Sequence, residues 1–205
     1  DLFCRFYDVH AAGNFEHGRS ILHISKPLEV FGKLVGRDVA ELREALQKGR
    51  RQLLAAREKR VHPLKDDKIL SSWNGLMIAA LAKGFQVLGE VRYLDAARKA
   101  ADFVLTVMRD GSGRLRRRYR EGEVAHSGYM DDYAFMTWAL LDLYESTFDV
   151  HYLENALDLN RMAVDLFWDE QEGGFFYTAR DSEGLIVRDK EIYDGAVPSS
   201  NSIAI

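Results

Sequence analysis

The sequence repeats itself at a fixed spacing, and that repeat limits the folds open to it more than any other feature. Ser72-Trp73-Asn74-Gly75 opens one helical stretch, Asp131-Asp132-Tyr133-Ala134 a second, and Ser200-Asn201-Ser202 a third. After the first two come amphipathic segments that align residue by residue: Tyr93, Leu94 and Ala97 recur as Tyr152, Leu153 and Ala156, 59 positions on (152 − 93). A repeat of this length is an architectural unit, and the units must bury their apolar faces on one another.

The unit has a definite grammar. Ser72 to Leu88 carries Leu76, Met77, Ile78, Leu81 and Phe85 with almost no polar face, so the pattern predicts a helix buried all round. Arg92 to Met108 puts Leu94, Ala97, Ala101 and Val104 on one side and charges on the other, as a surface helix does. Asp132 to Thr147 and His151 to Trp168 repeat the pair. Between pairs, Arg114 to Val124 through Glu121-Gly122-Glu123, and Gly174 to Val187 through Ser182-Glu183-Gly184, predict β-hairpins. Upstream, Phe6 to Ile24 predicts irregular structure without a helix. Asp38 to about Arg60 predicts a helix with Asp38 as N-cap, Leu42, Leu46, Leu53 and Leu54 as its stripe, and His62-Pro63 as its stop.

One arrangement encloses every all-apolar helix: a mainly α, partial α/α toroid, with inner helices in a barrel, outer helices in a second ring and short β-hairpins between the pairs. On this reading the units fall at about 38–66, 67–126 and 127–195, with 196–205 starting the next, and the Asp38 helix is an outer member.

Composition narrows the partners. Net charge −4 and pI about 5.9 give no global reason to expect nucleic acid, and no apolar run is long enough to span a bilayer. A single cysteine, Cys4, excludes an internal disulfide and suits a reducing, cytoplasmic setting. His and Cys show no metal-site spacing, and phosphate-loop and dinucleotide fingerprints are absent, so neither metal nor cofactor is expected.

Parallel inner helices would bring their N-termini to one rim, with Trp73, Asn74, Asp131, Asp132, Tyr133 and Asn201 around the mouth. Aromatic faces and bidentate polar groups there suit a sugar ligand. Asp131 is read equally as a simple cap. Asp132 is the better catalytic candidate because it aligns with Trp73 and Asn201, and a helix N-terminus favours its ionised form as base or nucleophile. His126 and Asp194, each just ahead of an inner helix, are the candidate acids, and each also has a structural reading. Their separation from Asp132, about 5 Å or about 6.5–9.5 Å, would set a retaining or inverting course. Arg114, Arg116, Arg118 and Arg120 share one strand face, either as a solvated hairpin or as a surface for an acidic ligand.

Three motifs carry a family resemblance: Asp67-Lys68-Ile69-Leu70-Ser71-Ser72-Trp73-Asn74-Gly75, Gly128-Tyr129-Met130-Asp131-Asp132-Tyr133-Ala134, and Asp194-Gly195-Ala196-Val197-Pro198-Ser199-Ser200-Asn201-Ser202. With Gly13-Asn14-Phe15-Glu16, these look like the YyaL and spermatogenesis-associated thioredoxin-like proteins. The resemblance implies a thioredoxin-like domain elsewhere in the polypeptide as a partner. It also implies a six-hairpin toroid similar to those of N-acylglucosamine 2-epimerases and glycoside hydrolases, of which this chain is the middle. Epimerases of that fold use paired histidines, and none stand at the inner-helix positions here. The rival expectation is a non-catalytic ligand-binding or scaffold module.

Overall fold

Residues 1–184 and 186–204 are described by a computed structural model. The chain divides into two compact units, Asp1–Lys65 and Asp66–Ile205.

In the first unit, helices α1 (Leu2–Phe6), α2 (Leu28–Val35) and α3 (Val39–Arg57) close on a small core of Phe6, Tyr7, Phe31, Leu42 and Leu46. Asp38 caps α3 as expected, its carboxylate accepting from the N–H groups of Ala40 and Glu41. The helix stops at Arg57, five residues before His62-Pro63. Leu42 and Leu46 are buried, whereas Leu53 and Leu54 are half exposed. The short helices α1 and α2 have no counterpart in the sequence reading; residues 7–24 are irregular apart from one 3₁₀ turn at Glu16–Gly18.

The second unit is the partial α/α toroid. Its inner helices are α4 (Ser71–Leu88), α6 (Met130–Thr147) and the start of a third, α8 (Ser200–Ala204); the outer ones are α5 (Val91–Val107) and α7 (Val150–Phe167). Helices α4 and α6 have equal length, 18 residues, and start 59 positions apart (130 − 71). They run parallel. Near their starts the Ser72 N–H donates to Asp132, and near their ends the Gln86 amide donates to the Ser146 hydroxyl. Between these points the backbones almost touch: a Cβ added at Gly75 would lie 2.7 Å from the Phe135 carbonyl carbon. The core gathers Ile78, Leu94, Val104, Phe135, Leu140, Leu159 and Phe167. Each such side chain contributes about 1.5–3 kcal/mol by leaving water.

The first hairpin forms as predicted. Strands β2 (Arg116–Arg120) and β3 (Glu123–Ser127) pair antiparallel, with Glu121 and Gly122 both at positive φ as a two-residue type I′ turn requires. Strand β1 (Ile69–Leu70) joins β2 on its other edge.

The second expected hairpin does not form among the described residues, and its Leu185 lies outside them. Gly173 and Gly174 both take positive φ, which breaks the extended run. The Asn201 side chain takes both backbone groups of Phe175, which leaves the Tyr177 N–H, donating to the Asp189 carbonyl at 2.7 Å, as the backbone link between the two arms among the described residues. Phe175 also forms an isolated bridge with Trp168.

Two burial expectations also change. Trp73 and Met77 on α4 are 65% and 58% exposed, and Val87 and Leu88 lie on the same flank. The helix is therefore buried on its α5 and α6 sides and open on the flank that no neighbour covers.

Candidate functional site

The rim is built from the N-termini of α4 and α6 with β2 across them. Ser71 anchors the corner, its hydroxyl donating to the Arg116 carbonyl. The N-cap of α6 is Tyr129 rather than Asp131, and the N-cap of α4 is Leu70. Before α8, Ser199 takes the capping role, its hydroxyl oxygen accepting the Ser202 N–H.

Asp132 holds this corner together. One carboxylate oxygen accepts the Ser72 N–H of α4 at 2.9 Å, and the other accepts the Tyr129 N–H at the start of its own helix at 2.9 Å. Arg117 Nη1 adds an ion pair at 3.3 Å. The side chain is 0% exposed. A helix N-terminus was expected to favour the ionised form, but burial, reinforced by the negative charge of Asp131, pushes its carboxyl up to about 7. The backbone donors and Arg117 oppose this shift without cancelling it. Asp132 is thus a buried cap for two helices, sealed from any ligand.

Asp131 lies beside it with some solvent access, its side chain 16% exposed. It pairs with Arg117 Nη1 at 3.1 Å and accepts from the Tyr177 hydroxyl at 3.5 Å. The Tyr129 and Tyr177 rings stack with centroids 5.0 Å apart, and the Arg117 guanidinium lies 4.8 Å from the Tyr129 centroid. Burial and then Asp131 push the Tyr177 hydroxyl up to about 12, so it stays a proton donor. Sequence reasoning missed Arg117, Tyr129 and Tyr177. The available signals were that Arg117 falls on the opposite strand face from the other four arginines and that Tyr129 occupies an N-cap position.

The remaining expected site residues separate into struts and surface groups. Tyr133 is buried, its hydroxyl accepting the Leu115 N–H at 3.1 Å. Asn201 is a backbone clamp on Phe175 and Glu191, and by helix starts it aligns with Asp131 rather than Asp132. Asn74 bonds back to the Leu70 carbonyl. Asp194 caps the approach to α8 by accepting from the Ser199 N–H and the Ser202 hydroxyl, and these bonds hold its carboxyl below the usual range.

His126 is exposed at φ 60. Strand register sets it opposite Arg117, between the pairs Arg116–Ser127 and Arg118–Ala125. Among the described residues no hydrogen bond or ion pair joins Asp132, Asp194 and His126.

The arginine face resolves as a solvated, paired hairpin. Arg114 pairs with Asp181, Arg116 with Asp110, Arg118 with Glu123 and Arg120 with Asp67. A separate groove of about 390 Å³ between α6, α7 and α8 is lined by Trp138, Leu141, Leu157 and Ile203. None of the side chains lining it titrates, so it has the character of a helix-packing surface.

No protein-family model matches the chain. Human spermatogenesis-associated protein 20 is 37% identical over 222 aligned residues, which take in 99% of this chain and 28% of that protein. The chain therefore spans just over a quarter of that relative's length. Among solved structures, a sugar epimerase from a ruminal bacterium superposes with TM-score 0.56 at 15% identity, over 69% of this chain and 38% of that one. A family 76 α-mannanase of Bacteroides thetaiotaomicron gives TM-score 0.51 at 18% identity, over 57% and 33%. At these identities the likeness concerns the fold: the α/α toroid of sugar epimerases and glycoside hydrolases.

Proposed function

The chain belongs to the family of spermatogenesis-associated protein 20, of whose length it spans 28%, and on that premise we propose that its second unit is part of a carbohydrate-binding or carbohydrate-processing toroid. The observation that carries this reading is the shared rim. Two parallel inner helices start side by side, with exposed Trp73 on one and the Asp131–Arg117 pair and stacked tyrosines at the other. An indole face suits sugar C–H surfaces, and the polar pair suits hydroxyls. The sugar enzymes named in the structural comparison lend support through fold.

If the site is hydrolytic or epimerising, its acid and base come from the accessible groups Asp131, Asp194 and His126, and Asp132 serves them from below. A second reading has its own support. Asp132 is sealed and Asp194 is engaged as a cap, which fits a non-catalytic ligand-binding or scaffold module working with a thioredoxin-like domain in a reducing, cytoplasmic compartment. Calorimetric titration with mono- and oligosaccharides tests the first reading. Binding that falls about tenfold in Trp73→Ala is expected; no heat with any sugar leaves the scaffold reading.

A further inference from the structure

Asp131 and Asp132 are adjacent in sequence and opposite in situation. Asp132 has each oxygen taken by a backbone N–H, and its side chain is closed to solvent. Asp131 keeps part of its carboxylate in water beside Arg117, whose side-chain hydrogen bonds among the described residues all come from Nη1. A guanidinium carries five N–H donors, so donors remain on Arg117 next to the Asp131 acceptor. Its side chain is 25% exposed.

We propose that Asp131 and Arg117 form a recognition pair for adjacent hydroxyls of an uncharged sugar, and that Asp132 is the positioning residue that holds the pair against the start of α4. The proposal rests on the carbohydrate reading above and names the ligand class that this site takes. An acceptor beside a donor complements a vicinal diol, which offers one of each. The stacked Tyr129 and Tyr177 rings add an apolar face close by.

Charge sets the specificity. Arg117 faces two carboxylates, so the cluster is at best neutral and carries −1 when both are ionised. An anionic sugar would add like charge to a partly buried site, which is disfavoured more strongly there than in water. The other hairpin arginines each hold a carboxylate already and offer no compensating charge. A neutral polyol only displaces water from the free donor and acceptor.

The test titrates the 205-residue chain by NMR with matched pairs of sugars: glucose with glucuronate, mannose with mannuronate, galactose with galacturonate. In whichever pair binds, the neutral member is expected to bind more tightly. Asp131→Asn should lower its affinity about ten- to a hundredfold, the worth of one hydrogen bond to a charged group, at an unchanged melting temperature. Asp132→Asn should lower affinity and melting temperature together. It should also shrink the preference for neutral sugar over uronate, because a negative charge leaves the cluster; a purely structural role would not move that ratio. Tighter binding of the uronates, or full affinity in Asp131→Asn while Trp73→Ala loses it, would overturn the pair and leave the carbohydrate reading standing. Failure of every sugar to bind would overturn both.

Discussion

The first and second helical pairs share a register and an apolar composition, and their inner helices a length, yet those inner helices differ in burial. Helix α6 has α4 on one side and α8 on the other, and ten of its 18 residues are buried, among them Asp132, Phe135, Met136 and Leu143. Helix α4 has α6 alone as an inner neighbour and leaves Trp73, Met77, Val87 and Leu88 exposed. Burial of each inner helix therefore follows the inner neighbours it packs against among the described residues.

The same contrast runs through the polar groups. At equivalent positions 59 residues apart, α4 carries Trp73, pointing to the open flank, and α6 carries Asp132, which reaches back to cap α4. The largest test of the contrast removes that link. Asp132→Ala strands two buried N–H groups and one face of Arg117, and should destabilise the second unit by about 4 kcal/mol in chemical denaturation, whereas Trp73→Ala should cost under about 1 kcal/mol. Next comes the packing between the pairs. Gly75→Ala places a methyl against the Phe135 backbone and should cost about 2–3 kcal/mol. If Gly75→Ala is neutral, the two inner helices are not in close contact.

The pH dependence of the link is smaller and has a definite sign. The Asp132 carboxyl titrates higher in the fold than in the unfolded chain, so the fold binds the extra proton between about pH 4 and 7, and stability from this group falls as pH rises through that window. An Asp132→Asn variant does not titrate there. The stability gap between wild type and variant should therefore narrow by about 1 kcal/mol or more from pH 5 to pH 8. A gap that widens would place the carboxyl below its ordinary value. The smallest effect concerns helix ends. Gly89 closes α4 and Phe148 closes α6, both left-handed and 59 positions apart (148 − 89). Phe148 is 79% exposed and strained there, so Phe148→Gly should stabilise by about 0.5 kcal/mol, while Gly89→Phe should cost about 1 kcal/mol.

Much of this was legible in the letters because the repeat is periodic. The 59-residue offset, the alternation of inner and outer helices and the Glu121-Gly122 turn all follow from spacing and turn chemistry, which are local. The site was less legible because its logic is not local. Asp132, Tyr133 and Asn201 look like rim groups in sequence, and each turns inward to bond a backbone group that spacing does not reveal: Ser72, Leu115 and Phe175. The absent second hairpin has the same origin, since a side chain from α8 uses the Phe175 edge. Helices α1 and α2 escaped notice because eight residues or fewer hold too little periodicity to read.

The central claim is that a carboxylate in one repeat caps the inner helix of the repeat before it, fixing both helix starts to one rim. Amide hydrogen exchange at Ser72, compared between wild type and Asp132→Ala, tests this most directly. The account expects protection at Ser72 to fall by at least about tenfold along with that at Tyr129. A loss confined to Tyr129, with Ser72 unchanged 60 residues away (132 − 72), would contradict it.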